Sequence, residues 1–293
     1  MEEKLQPAGA QARQPVKVFI EGRYRKLSRD LPQTVFFCPD CKGHPRRRRG
    51  CLRCEGFGKL TRDSVQELIG WVVGAAFKTR KNKFHGAGRE DVNVRMLGEG
   101  RPFVMEVVGP KILDVDLAAV ESEVNRRNEG RLEVLGLHWT EKTRVRIVKE
   151  EKHAKEYRAL VEVRGAYDLN AVRDLFGKRT AIVQHTPERV AHRRADLDRE
   201  RWIEFLAVDP VASEAEGGAA RLEVLLRTQH GTYVKEAISG EGGSTNPSLS
   251  GLIGAPCECL ELDVTAILDE EGGATPNAPA RPATASWASN LED

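Results

Sequence analysis

Phe84-His85-Gly86-Ala87-Gly88-Arg89-Glu90-Asp91-Val92-Asn93-Val94-Arg95-Met96-Leu97-Gly98-Glu99-Gly100-Arg101-Pro102-Phe103 is the stretch on which the reading of this chain turns. It sets one carboxylate, Asp91, between glycines upstream and an arginine-flanked loop downstream, ahead of an apolar strand over residues 103–108. An acid placed there can act as a nucleophile. The same residues also suit a polar loop whose aspartate caps a turn. The segments on either side separate the two readings.

On the N-terminal side, Ser64-Val65-Gln66-Glu67 forms a capping box that opens an amphipathic helix over residues 65–77. On the C-terminal side a second helix is predicted over 117–127, with Asp116 as N-cap and Gly130 beyond its end. A third covers 169–176 with Asp168 as cap. Period-two segments read as strands over 16–21, 132–137, 143–148, 158–163, 180–183, 202–208 and 222–226. Residues 211–220, glycine-rich and acidic, read as the loop of a hairpin. Helices that interrupt a run of strands without strict alternation imply an α+β fold, a mixed and mainly antiparallel sheet with flanking helices. The sequence holds no P-loop, dinucleotide fingerprint or internal repeat.

The chain has 293 residues, 40% hydrophobic and 31% charged, which fits a soluble globular protein with a sizeable core. No apolar run approaches a membrane span and no stretch has signal-peptide order, so an intracellular, cytoplasmic location is expected. The net charge of +2 hides an asymmetry: residues 13–62 carry fourteen Lys/Arg against four Asp/Glu. Such a basic face suits phosphate backbones, although a merely solvated arm has the same composition. The organisation expected is a mobile N-terminus (1–15), a basic strand with a cysteine module (16–62), a catalytic domain (63–268) and a mobile tail (269–293).

Cys38, Cys41, Cys51 and Cys54 read C-x2-C-x9-C-x2-C, two knuckles able to bring four thiolates onto one tetrahedral zinc. Gly43, Gly50, Gly56 and Gly58 permit the tight turns this requires. Four thiolates leave no open position, so the zinc is expected to be structural, with no organic cofactor. Arg46 to Arg49, between the knuckles, would be displayed to solvent by a metal-fixed loop. Cys257 and Cys259 alternate along a predicted strand and read as core thiols.

Two further segments join Asp91 as chemical candidates: Lys155-Glu156-Tyr157-Arg158-Ala159-Leu160-Val161 and Gly231-Thr232-Tyr233-Val234-Lys235-Glu236. Taken singly, Tyr157 reads as a core ring and Lys235 as a surface charge. An aspartate that must stay ionised in a water-poor site nevertheless needs a cationic neighbour, which lowers its pKa by roughly 1 to 3 units.

These segments, with Gly22-Arg23-Tyr24-Arg25-Lys26-Leu27-Ser28-Arg29, Leu31-Pro32-Gln33-Thr34 and Gln184-His185-Thr186-Pro187-Glu188-Arg189-Val190-Ala191-His192-Arg193-Arg194, closely resemble the tenth family of pseudouridine synthases, Pus-ten, over residues 17–266. The resemblance implies a pseudouridine synthase-like catalytic domain acting on tRNA, with uridines fifty-four and fifty-five of the TΨC loop as targets. It matches Asp91 to the catalytic nucleophile, Lys235 to its basic partner, Tyr157 to the base-stacking tyrosine and Tyr233 to a second substrate-contacting tyrosine. Arg89 would brace a phosphate or help flip the nucleotide, and Arg189 and Arg193 would meet RNA or orient the site. Archaeal relatives usually begin with a THUMP-containing region that has no counterpart before Val16, so a protein partner replacing it is a further expectation. Asn93 stands where relatives commonly carry a second aspartate. The rival readings are a catalytically silent zinc-bearing RNA-binding or accessory protein, and a hydrolase of ribosyl bonds, which would need a paired acid.

Overall fold

The computed structural model describes residues 15–191, 194–211 and 219–268. Expectations for residues 1–14, 192–193, 212–218 and 269–293 lie outside them, Arg193 and most of the hairpin loop included. One sheet organises the rest. Its order is β4 (Leu132–Thr140), β1 (Lys17–Lys26), β3 (Val94–Val108), β10 (Cys257–Ile267), β5 (Lys155–Val163), β8 (Ala220–Thr228), β7 (Arg199–Val211), β6 (Arg179–Gln184) and β9 (Thr245–Asn246), with β2 (Asn82–Gly86) paired to β3 off this path. Every pairing is antiparallel except β3 with β10, which run parallel through Val94–Leu262 to Met96–Val264. The expected mixed, mainly antiparallel α+β fold is the one observed.

β3 is longer than the apolar segment suggested, because it continues back through Gly98 and Gly100 to Val94. Gly98 has φ +59°, and a Cβ there would sit 2.0 Å from the Thr265 carbonyl oxygen. Only glycine lets the strand bend past β10 at that point. Beyond the bend, β3 takes β2 on the flank that β10 occupied, in a register running from Asn82–Val107 to Gly86–Phe103. Residues 87–93, which join β2 to β3, therefore emerge where one neighbour of β3 ends and the other begins.

The helices are α1 (Pro45–Arg48), α2 (Val65–Ala76), α3 (Leu117–Arg127), α4 (Lys142–Glu150), α5 (Asn170–Arg173), α6 (Glu188–Ala191), α7 (Val234–Ser239) and α8 (Leu249–Ile253). α2 starts at the predicted cap: the Ser64 hydroxyl accepts from the Glu67 amide at 3.3 Å and donates to the Glu67 carboxylate at 2.8 Å. Its apolar stripe, Val65, Leu68, Ile69, Val72, Val73 and Phe77, is buried in the main core beside Ile20, Tyr24 and Met105. Each such side chain contributes roughly 1.5–3 kcal/mol when fully buried. α3 begins at Asp116, which accepts from the amides of Ala118 and Ala119, and packs against β4 and α2.

Two predicted elements differ. Residues 143–148, read as a strand, lie within helix α4. Val145 and Val148 satisfy the spacing of three as well as they join an alternation, and as a helix they pack on Phe19, Ala87 and Val104. Arg144 then reaches Glu21 on β1 through two hydrogen bonds of 2.6 and 2.8 Å, which fixes the helix on the sheet. The helix over 169–176 shortens to the single turn of α5, whose N-cap is Leu169 and not Asp168, although the Asp168 carboxylate accepts from the Asn170 amide at 2.9 Å. Arg46 to Arg49 fall on and just after α1, exposed as expected, on a turn of helix and not a loop.

Candidate active site

Asp91 is held from beneath by charges that water does not reach. The buried Lys26 ammonium donates to the carbonyls of Leu31, Asp91 and Val92 at 2.8, 3.0 and 2.8 Å. Burial lowers its pKa to about 8, partly opposed by Glu90. The neighbouring Glu90 is buried too, accepting from the Tyr24 hydroxyl at 2.8 Å and ion-paired with Arg101 at 2.8 Å. Arg101 also donates to the Ala87 carbonyl at 2.7 Å, and Gln33 to that of Gly88 at 2.9 Å. The backbone of the loop is thus fastened at Ala87, Gly88, Asp91 and Val92, and the Asp91 side chain is turned into the cleft.

That side chain meets two cations. Arg189, on α6, donates through Nη1 to Asp91 Oδ2 at 2.9 Å. Lys235, on α7, approaches the same oxygen at 3.5 Å and donates to Asn93 Oδ1 at 3.0 Å. Arg189 is itself gripped by the buried Glu236, whose oxygens accept from Nε at 2.5 Å and Nη2 at 3.2 Å. Burial works against the charge on Arg189, but Glu236 and Asp91 outweigh it and raise its pKa. Adjacent residues of one short helix therefore act on one carboxylate, Lys235 directly and Glu236 through Arg189.

The surrounding cleft has a volume of about 380 Å³. Tyr157 and Tyr233 both line it, as do Lys155, Arg89, Arg194, Arg199 and Arg201. Burial pushes the Tyr157 hydroxyl up to about 12 and, with Arg101 nearby, the Lys155 ammonium down to about 7. Gln184 accepts from the Tyr233 amide and donates to its carbonyl, both at 2.9 Å, while Arg189 and Arg199 lie 5.9 and 6.0 Å from the ring centre. Arg89 is exposed at the rim and makes no ion pair among the described residues. Asp91 and Glu90 are the carboxylates of the lining, and Glu90 is consumed by Tyr24 and Arg101. An aligned pair of free acids, the requirement for hydrolysis of a ribosyl bond, is absent from this lining.

Asp91, Lys235, Tyr157, Tyr233, Arg89 and Arg189 thus come together from separate segments of sequence. Of the two roles expected for Arg189, meeting RNA or orienting the site, its contact with Asp91 corresponds to the second. Sequence reasoning missed Glu236, Gln184, Lys26 and Lys155. Glu236 stood beside Lys235 in a quoted motif, and its burial on a helix of six residues leaves no periodic trace.

Apart from this cleft, the four cysteine sulfurs of the knuckles lie within 4.8 Å of one another, with Cys38–Cys51 at 3.7 Å and Cys41–Cys54 at 3.6 Å. Thiolates at about 2.3 Å from one tetrahedral zinc would be about 3.8 Å apart, so the set fits that ion and is too wide for disulfides. Each knuckle turns through left-handed backbone at matching places, Lys42-Gly43 and Glu55-Gly56.

Fold and site together define an α+β protein whose basic cleft is built round a single carboxylate. The chain belongs to the family described as Pus10, C-terminal, whose sequence model matches residues 19–268. It is 43% identical to the tRNA pseudouridine synthase Pus10 of Methanopyrus kandleri over 87% of this chain and 57% of that protein. For the tRNA pseudouridine synthase Pus10 of Methanothermobacter marburgensis the figures are 45%, 84% and 59%. The chain therefore spans less than two thirds of the length of these relatives. Among solved structures, a Cbf5-Nop10-Gar1 complex aligns with 69% of this chain and 45% of the matched chain at 18% identity, with a TM-score of 0.37, too slight a likeness to carry inference.

Proposed function

We propose that this chain isomerises uridine to pseudouridine in tRNA, with Asp91 as the catalytic carboxylate. The observation that carries the reading is the convergence of Asp91, Arg189 and Lys235 in a cleft that also holds two tyrosines. Pseudouridine formation breaks the bond from N1 of the base to C1′ of the ribose, turns the base over, joins C5 to C1′ and releases the C5 proton, while N1 takes up a proton, so that product and substrate are isomers. No redox change and no added water are involved, which suits a site with one free acid. Asp91 acts either by attack at C1′ or by removing a proton from C2′, and on each route Arg189 and Lys235 hold its carboxylate in place. The base must leave its stack to reach the cleft, and Tyr157 serves as the platform on which it turns, with Tyr233 as a second contact. Arg89, Arg194, Arg199 and Arg201 meet the phosphates either side of the flipped nucleotide.

The targets we propose are uridines fifty-four and fifty-five of the TΨC loop, as the resemblance to Pus-ten implies, with the reaction in the cytoplasm. Among the described residues no helix is long and apolar enough to cross a membrane. The four cysteines hold a structural zinc that fixes α1 and its arginines. The decisive assay is tritium release from a tRNA transcript carrying C5-tritiated uridine, wild type beside Asp91→Asn, with the modified positions then mapped. Release by the wild type alone supports the proposal. Binding of tRNA without release would instead make the chain an RNA-binding accessory.

A further inference from the structure

A concavity of about 1150 Å³ lies away from the candidate active site, between α2 and the turn that follows it. Its wall includes Trp71, which is 55% exposed on the outer face of α2. Around that ring the lining carries Lys78, Arg80, Lys81 and Lys111, all exposed and without an ion-pair partner among the described residues. Glu67 is the one carboxylate of the lining, and Lys59 and Ser64 take its two oxygens at 2.7 and 2.8 Å. Four free cations beside an open aromatic ring form a surface whose charge is uncompensated.

Folding alone does not account for this arrangement. The C-terminal dipole of α2 favours a cation in its last turn and no further, which explains Lys78 but not Lys81 or Lys111. Lys78 is also held at φ +50°, a conformation in which glycine would be the easier occupant. The chain turns back so closely there that the Thr79 carbonyl oxygen would lie 2.7 Å from a Cβ on Gly74. A lysine kept at a strained helix end, where the backbone asks for glycine, points to a use for its ammonium.

We infer that this groove is a second RNA-binding surface, in which the phosphates of the substrate RNA lie on Lys78, Arg80, Lys81 and Lys111 while one unstacked base packs on Trp71. Cationic grooves with an exposed aromatic ring bind unpaired nucleotides by this combination of charge and stacking. The groove adjoins the Asp91 loop through one residue: Gln33 accepts from the Gln66 amide at 3.0 Å through its carbonyl and holds the Gly88 carbonyl with its side chain. From that end the 12 residues of α2 run about 18 Å to the basic turn. The inference rests on tRNA being the substrate.

The test is tRNA binding by fluorescence anisotropy over a range of salt concentrations. Wild type is compared with the triple variant Lys78→Ala/Arg80→Ala/Lys81→Ala and with Trp71→Ala, all checked for native melting. The triple variant should weaken binding by about tenfold or more and reduce the slope of log K against log salt by about 2, at roughly 0.7 for each phosphate no longer neutralised. Trp71→Ala should weaken binding several-fold without altering the slope. Wild-type affinity and slope in both folded variants would overturn the inference. Because binding is read without turnover, failure of the isomerase reading appears separately, as absent tritium release by a wild type that binds and a triple variant that binds less.

Discussion

Glu236→Gln isolates the part of the site that the sequence did not reveal. The carboxylate accepts from both Nε and Nη2 of Arg189 and so aims Nη1 at Asp91, 2.9 Å away. Glutamine keeps the shape but has one acceptor, so its amide nitrogen faces a guanidinium donor and the arginine must turn away. Unit charges about 3 Å apart interact by about 5–6 kcal/mol at an effective dielectric of about 20. Asp91 and Arg189 are each about a third exposed, at 35% and 36%, and water screens the pair to about 1.5–3 kcal/mol. Lys235 remains, so Asp91 keeps one cationic partner. At about 1.4 kcal/mol per factor of ten, kcat/KM in the tritium-release assay should fall by about 10- to 100-fold. Arg189 can hydrate once released, so folding should lose only about 1–2 kcal/mol. Adding Arg189→Gln to Glu236→Gln should cost little more than either single change, because both act on one contact. A well-folded Glu236→Gln with wild-type kcat and kcat/KM would refute the reasoning.

Purified protein should carry about one zinc per chain by elemental analysis, and Cys38→Ser or Cys54→Ser should abolish it; metal-free protein with an unchanged melt would exclude the site. Arg46 to Arg49 changed together to alanine should flatten the salt dependence of tRNA binding, and an unchanged slope would mean that α1 does not touch RNA. Lys155→Met should stabilise the fold at pH 6 by on the order of 3–5 kcal/mol, measured by urea unfolding. The folded pKa of Lys155, about 7, lies below the usual 10.5, so the unfolded chain binds the proton more tightly. The wild type should therefore gain stability as pH rises from about 7 to about 10.5, and the gain should shrink in the variant. Gly98→Ala should destabilise by more than about 2 kcal/mol, since its Cβ would collide with the Thr265 carbonyl, and a melting temperature within a degree of wild type would contradict that geometry.

Local signals carried the fold far. Ser64 and Asp116 marked helix starts because a capping side chain is a property of a few adjacent residues, and the alternation of β5 and β8 marked strands facing one core. Residues 143–148 failed because a short apolar-polar segment satisfies two periods, and only its landing place on Phe19 and Val104 selects the helix. Gly98 and Gly100 read as a loop because glycine signals a turn, whereas here it lets a strand bend under a neighbouring carbonyl. In the site, Asp91, Tyr157 and Lys235 were named because the contiguous motifs that hold them resemble those of Pus-ten; taken singly, Tyr157 reads as a core ring and Lys235 as a surface charge. Glu236, Gln184 and Lys26 act across separations of 47, 49 and 65 residues, and no local pattern encodes which carbonyl or guanidinium they will meet.

The loop that carries Asp91 rests on Lys26, Glu90 and Arg101, charges enclosed by protein on every side. Mobile ions screen exposed charges over about 8 Å at physiological ionic strength, but they reach enclosed pairs far less. The outer arginines of the cleft and the cations of the α2 groove stand in solvent, where screening is full. Salt should accordingly govern how readily RNA is captured and leave the conversion of bound RNA nearly untouched. An organism could then vary its internal ionic strength widely and alter the occupancy of this protein without altering the chemistry at Asp91.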